Sequence, residues 1–185
     1  AALRVHGTSA LTCVTAQNPK GVLAVQACRP AIVRRQLEAV FAELPPDAVK
    51  TGMLYSTTIL RAVVAFFQRH RRRRPPLVVD PVMVATSGAS LLQPSAIAML
   101  REQLLPLAVL VTPNLDEVEV LLGRRPRSVE EMRLAARKIV HHFGCAALVK
   151  GGHLAGGREA VDIFNDGSVE LLLTAPRHRG RQLHG

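Results

Sequence analysis

Short β-rich runs alternate along this chain with segments whose apolar residues recur at helical spacing. The runs Leu77-Val78-Val79 and Val109-Leu110-Val111 are continuously apolar, the pattern of parallel strands covered on both faces. Strands are predicted at residues 10–14, 48–50, 77–80, 108–112, 146–150, 161–164 and 168–174. Between them, residues 30–44 set Val33, Leu37, Val40, Phe41 and Leu44 on one stripe, with Arg34, Arg35 and Glu38 opposite. Residues 57–70 repeat the pattern through Leu60, Val63, Val64 and Phe67. Residues 128–143 open with Ser128-x-x-Glu131, the spacing of a capping box, and run Met132, Ala136, Ile139, Val140 and Phe143 along a buried face. Gly144 follows as the C-cap. Alternation of this kind implies right-handed βαβ units in an α/β fold, a doubly wound and mostly parallel sheet with helices on both faces. Asn165-Asp166-Gly167 joins the last two runs without a helix, a hairpin signal that predicts an antiparallel edge near the C-terminus. No repeat, low-complexity tract or linker divides residues 1–185, so a single domain is expected. Ligands of such sheets sit at the C-terminal ends of the strands, and residues there are the candidates for chemistry.

Composition narrows the function classes. With 48% hydrophobic and 21% charged residues in 185, the chain reads as globular, with a core that needs no disulfide staples. No apolar run approaches the ~20 residues of a membrane span, and no basic segment leads into an apolar one at the N-terminus. The net charge of +10 is carried largely by Arg, since the only lysines are Lys20, Lys50, Lys138 and Lys150. The run Arg69-His70-Arg71-Arg72-Arg73-Arg74 falls at a predicted helix end, where cations complement the dipole and Pro75-Pro76 stop the helix. Aromatics are 3% with no Trp, too few for the stacking platforms of an RNA-binding surface. The charge is therefore read as solvated surface, and neither a nucleic acid nor a membrane is expected as partner. Cys13, Cys28 and Cys145 are scattered and odd in number, which fits reduced thiols in the cytoplasm.

Each motif that follows a strand has a bland and a functional reading. Asp80, in Val78-Val79-Asp80-Pro81-Val82-Met83, is a turn residue before proline or a group that holds Mg²⁺ or a phosphate-bound water. The small-residue segment 85–90 after it is a ligand cover or a plain loop. Thr112-Pro113-Asn114-Leu115-Asp116-Glu117 opens a helix; Asn114 as N-cap with Glu117 at N3 suffices to explain the spacing. The same arrangement can organise Mg²⁺ and phosphate at a helix N-terminus. Lys150-Gly151-Gly152-His153 is a tight turn with a snorkelling Lys, or a place of close backbone approach with a cation for phosphate. Gln17 can present a donor and an acceptor to a heterocycle edge, or cap a polar turn before Pro19. Met53 packs on a flat ring or fills core. His141-His142 reads as helix surface. Neither G-x-x-x-x-G-K-[ST] nor G-x-G-x-x-G occurs, so Walker-type and dinucleotide-binding readings lack support.

In combination these segments are specific. Gly7-Thr8-Ser9, Thr15-Ala16-Gln17-Asn18, Ala48-Val49-Lys50-Thr51-Gly52-Met53-Leu54 and Val79-Asp80-Pro81-Val82-Met83-Val84-Ala85-Thr86-Ser87-Gly88 occur in this order. Thr112-Pro113-Asn114-Leu115-Asp116-Glu117, Val149-Lys150-Gly151-Gly152-His153-Leu154 and Glu159-Ala160-Val161-Asp162 follow. Over essentially its whole length the chain resembles the hydroxymethylpyrimidine/phosphomethylpyrimidine kinases of thiamine biosynthesis, a branch of the ribokinase superfamily. The resemblance implies Mg²⁺-dependent transfer of phosphate from ATP to 4-amino-5-hydroxymethyl-2-methylpyrimidine and then to its monophosphate, by a cytoplasmic homodimer. It implies that Gln17, Met53 and Val82 bind the pyrimidine. Asp80, Asn114, Glu117 and Lys150 would serve ATP and its phosphates, with Asp80 and Glu117 holding Mg²⁺, directly or through water. Family members also have a first strand with a Gly-rich segment, and a Thr-Gly-Cys or Thr-Gly-Asp turn that supplies an anion hole and the catalytic base. Neither is in residues 1–185; the base is expected just beyond Gly185, and the 185-residue chain alone is expected to be inactive. A pyridoxal or pyridoxine kinase is the alternative enzyme, and a non-catalytic pyrimidine-binding remnant the alternative of a different class.

Overall fold

The computed structural model describes residues 4–18, 21–70, 75–84, 91–152, 154 and 159–177. Its central sheet has six strands, β3 (Val49–Thr51), β4 (Leu77–Val79), β5 (Leu110–Val111), β6 (Ala146–Lys150), β7 (Glu159–Asn165) and β8 (Glu170–Pro176). They lie side by side in chain order, the first four parallel and the last two antiparallel to their neighbours. The α/β class and the antiparallel end match the sequence pattern. In the final hairpin, Asp166 Oδ1 accepts from the Ser168 and Val169 N–H groups and from the Ser168 hydroxyl, and Gly167 takes φ 95°.

Among the described residues five α-helices accompany the sheet: α1 (Pro30–Glu43), α2 (Thr57–Arg69), α3 (Pro94–Met99), α4 (Leu115–Leu122) and α5 (Val129–Phe143). The predicted stripe of α2 is fully internal, with Leu60, Val63, Val64 and Phe67 all buried. Phe41 of α1 meets Phe66 and Phe67 edge-on at 4.8 and 6.2 Å, which locks α1 against α2. Ser56 and Ser128 cap α2 and α5 through the N–H groups of Ile59 and Glu131. Glu131 does not close the expected reciprocal box; its carboxylate takes the Arg127 N–H and pairs with Arg124. Gly144 ends α5 at φ 69°, as its position implied.

Two features depart from the pattern. Residues 10–14 do not enter the central sheet: β1 (Cys13–Asn18) pairs antiparallel with β2 (Gly21–Ala27) in a separate two-stranded ribbon. The periodicity of the Gly21–Ala27 run is weak, and only the ladder to β1 identifies it as a strand. The segment after α3 leaves α-geometry, passing through a π turn (Leu100–Leu104) and a 3₁₀ turn (Leu105–Leu107). Pro106 has no N–H to continue a regular ladder there. The apolar strand runs are also covered unevenly: Leu77, Val79 and Val111 are buried, whereas Val78 and Leu110 are half-buried and Val109 is exposed.

Candidate active site

Four parallel strands end at one edge, and their backbone bonds bring the candidate side chains together. The Asp80 N–H donates to the Thr51 carbonyl, Thr112 to Val79, and Lys150 to Pro113. Asn114 and Lys150 extend the β5–β6 pairing as an isolated parallel bridge. This register sets Asp80 between two ammonium groups: Lys50 Nζ lies 2.9 Å from Oδ2 and Lys150 Nζ 3.2 Å from Oδ1. Lys50 was missed as a site residue from sequence. It stands one residue before the end of β3, and a terminal lysine is ordinarily a snorkelling surface group.

Beside this cluster α4 opens with a complete capping box. Asn114 Oδ1 accepts the Glu117 N–H at 2.9 Å, and Glu117 Oε2 accepts the Asn114 N–H at 2.8 Å. Glu117 Oε1 also accepts the Met83 N–H at 3.2 Å, so one buried carboxylate ties the turn after β4 to the start of α4. Burial pushes this carboxyl above the ordinary glutamate value; the two N–H bonds and the Lys150 charge oppose the rise, and Asp80 adds to it. The bland reading of Asn114 and Glu117, a capping box at the start of α4, is the one the backbone contacts show.

Val82 lies in the same turn with φ 40°. A β-branched residue pays a steric penalty there, and such strain persists only where the surroundings fix it. The fixing bonds are the Met83 N–H to Glu117 and the Leu91 N–H to the Met83 carbonyl, 2.8 Å.

A cavity of about 600 Å³ adjoins these strand ends. Its lining brings together Gln17, Met53 and Val82, the three residues expected to hold a pyrimidine, and adds Lys50 and Thr51. Gln17 reaches it from β1, beside a bulge between Ala16 and Gln17, rather than from a turn after a strand of the central sheet. The ribbon is held in place by the Thr12 hydroxyl, which donates to the Met53 carbonyl at 2.6 Å. Gln36 of α1 further anchors the preceding segment through both the N–H and the carbonyl of Leu11, each at 2.9 Å. The segment 85–90 and His153 lie outside the described residues.

Gly151 has a structural explanation. A Cβ there would stand 2.1 Å from the Val161 carbonyl oxygen and 2.6 Å from Met132 Cε. The close approach is therefore to the protein's own β7 and α5, whereas Gly152 faces open space.

The donor set fits Mg²⁺ bound chiefly by phosphates and water. Among the described residues no cluster of three or more His, Cys, Asp or Glu side chains occurs. The two carboxylates, Asp80 just after β4 and Glu117 in the first turn of α4, match the small oxygen complement that Mg²⁺ takes from protein beside phosphates. Both Glu117 oxygens already accept N–H bonds, which suits a contact through water better than direct ligation.

The model of the family described as phosphomethylpyrimidine kinase matches residues 1–185. The chain belongs to the phosphomethylpyrimidine kinase family. It is 46% identical over 185 residues to the hydroxymethylpyrimidine/phosphomethylpyrimidine kinase of Rhizobium meliloti (strain 1021), covering all of this chain and 68% of that relative. It spans only 34–36% of the bifunctional thiamine biosynthesis proteins it also matches. The crystal structure of phosphomethylpyrimidine kinase from Clostridium difficile 630 superposes with a TM-score of 0.82 at 39% identity, over 92% of this chain and 72% of that one. An ADP complex of Bacillus subtilis pyridoxal kinase superposes at 0.86 with 33% identity, over 98% of this chain and 68% of that one. The ribokinase-like architecture expected from sequence is thereby established. Among the described residues no helix is long and apolar enough to cross a membrane.

Proposed function

We propose that the protein containing this chain transfers phosphate from ATP to 4-amino-5-hydroxymethyl-2-methylpyrimidine and then to the resulting monophosphate, in the cytoplasm. The observation that carries the reading is the cavity in which Gln17, Met53 and Val82 converge beside the Lys50–Asp80–Lys150 cluster. Gln17 hydrogen-bonds the aminopyrimidine edge, while Met53 and Val82 pack on its faces and hold the hydroxymethyl group toward the strand ends. Lys150 and the N-terminus of α4 attract the phosphates of ATP. Asp80, and Glu117 through water, would hold Mg²⁺, which would supply charge neutralisation at the transferring group. Catalysis of this kind rests on positioning and charge neutralisation, both of which the strand-end arrangement supports.

The likeness to pyridoxal kinase keeps a pyridoxal acceptor as the second reading. The full-length protein is assayed for ATP-dependent product with the pyrimidine and with pyridoxal side by side. The pyrimidine is expected to win by at least about tenfold in kcat/KM, the order of discrimination that one or two specific contacts provide. Preference for pyridoxal would move the protein to the alternative. Binding of the pyrimidine, read by calorimetry, with no turnover of ATP would make it a non-catalytic binding remnant. A homodimer is part of the proposal: Val14 and Leu23 of the ribbon are exposed apolar groups that an assembly could cover, and light scattering reads its mass.

A further inference from the structure

Lys50 lines the acceptor cavity, and it is the one charged residue among the described residues that do. The other lining side chains are apolar or neutral, including Gln17, Met53 and Val82. An uncharged heterocyclic alcohol has no use for an ammonium group in its wall. An acceptor that already carries phosphate does, because an ammonium group in the wall attracts an anion. Lys50 is also placed asymmetrically. It takes Oδ2 of Asp80 while Lys150 takes Oδ1, so the carboxylate separates two cations, only one of which faces the acceptor cavity. The Lys50 side chain is 59% exposed against 19% for Asp80, and is therefore open to a ligand that its partner cannot easily meet.

We infer that Lys50 is the specificity-determining residue for the second transfer, binding the phosphate of the monophosphate acceptor on the opposite side of Asp80 from the donor phosphates at Lys150. The inference rests on the proposed function and deepens it. Chemically, an oxygen of the acceptor phosphate forms a bond to the γ-phosphorus of ATP. The bond from that phosphorus to the β–γ bridging oxygen breaks, and its electron pair leaves with ADP. A phosphate monoester is mostly dianionic at neutral pH, its second pKa being about 6, so its nucleophilic oxygen bears no proton to remove. The obstacle to this step is repulsion between two anions, which an ammonium on the acceptor side relieves. The first transfer starts from an alcohol and lacks that repulsion.

The test compares wild-type, K50Q and K50R full-length proteins by titration calorimetry with the hydroxymethylpyrimidine, its monophosphate and inorganic phosphate, and by steady-state kinetics with both acceptors. K50Q is expected to weaken monophosphate binding about 100-fold and alcohol binding less than tenfold. The ratio of the two kcat/KM values then falls by tenfold or more, mainly through KM. K50R, which keeps the charge, restores part of the ratio. Equal losses for both acceptors, or no loss for the monophosphate, would overturn the assignment. Should neither pyrimidine bind the wild type, the functional reading fails separately. The phosphate titration still decides Lys50, since equal affinity in wild type and K50Q refutes an anion site there. Unchanged thermal melting of K50R guards against a folding defect.

Discussion

Val82 combines a strained backbone with a wall position in the cavity proposed for the acceptor. Glycine relieves the strain and removes the wall, so the two roles can be separated. V82G should leave stability within about 1 kcal/mol of wild type, because about 1–3 kcal/mol of released strain offsets the entropy and packing lost. The acceptor KM should rise about tenfold; a melting curve and a kinetic titration read the two effects. Glu117 yields a prediction in pH. Its folded-state carboxyl titrates above the ordinary value of 4.5, so its contribution to stability is fully present below that value. The contribution is lost as pH rises through the folded-state value. The stability difference between wild type and E117Q should therefore be widest below pH 4.5 and shrink as pH increases, as urea titrations at several pH values can read; a difference that widened with pH would contradict it. Asn114, Glu117 and Gly144 were legible residue by residue because caps are local chemistry. Lys50 was not, since its meaning depends on Asp80, thirty residues away and one strand over.

At the level of elements, sequence reading succeeded where a segment carries its own period. The stripe of α2 and the β7–β8 hairpin match the pattern. It failed where an element exists only through a partner: β2 needs β1, and the turns after α3 answer to Pro106 and the packing of Leu100, Leu104 and Leu105. Gly151 shows the same limit, since the Gly151-Gly152 pair allowed a tight turn or close approach to a ligand, and the close approach at Gly151 is to Val161 and Met132. A methyl group at this position meets a backbone oxygen that cannot rotate away. G151A should lose about 3 kcal/mol, the upper range for overpacking, and denaturant titration measures it. A neutral result would mean that β6 and β7 can part at the site edge without penalty.

For the whole molecule, the central claim is that the largely uncharged cavity and the charged strand ends are two halves of one site. Gln17 enters from the ribbon, Met53 from the loop after β3, Val82 from the turn after β4, and the cations from β3 and β6. The fold class was legible because alternation survives averaging over many residues. The convergence of a separate ribbon on the sheet edge was not, because no short window contains it. A crystal structure of the full-length protein with the hydroxymethylpyrimidine and a non-hydrolysable ATP analogue tests the claim most directly. The account predicts the ring between Met53 and Val82, its amino edge on Gln17, and its hydroxymethyl oxygen directed toward Asp80 and the γ-phosphate. A ring bound elsewhere, or bound here with its hydroxymethyl group turned away from Asp80, would contradict it.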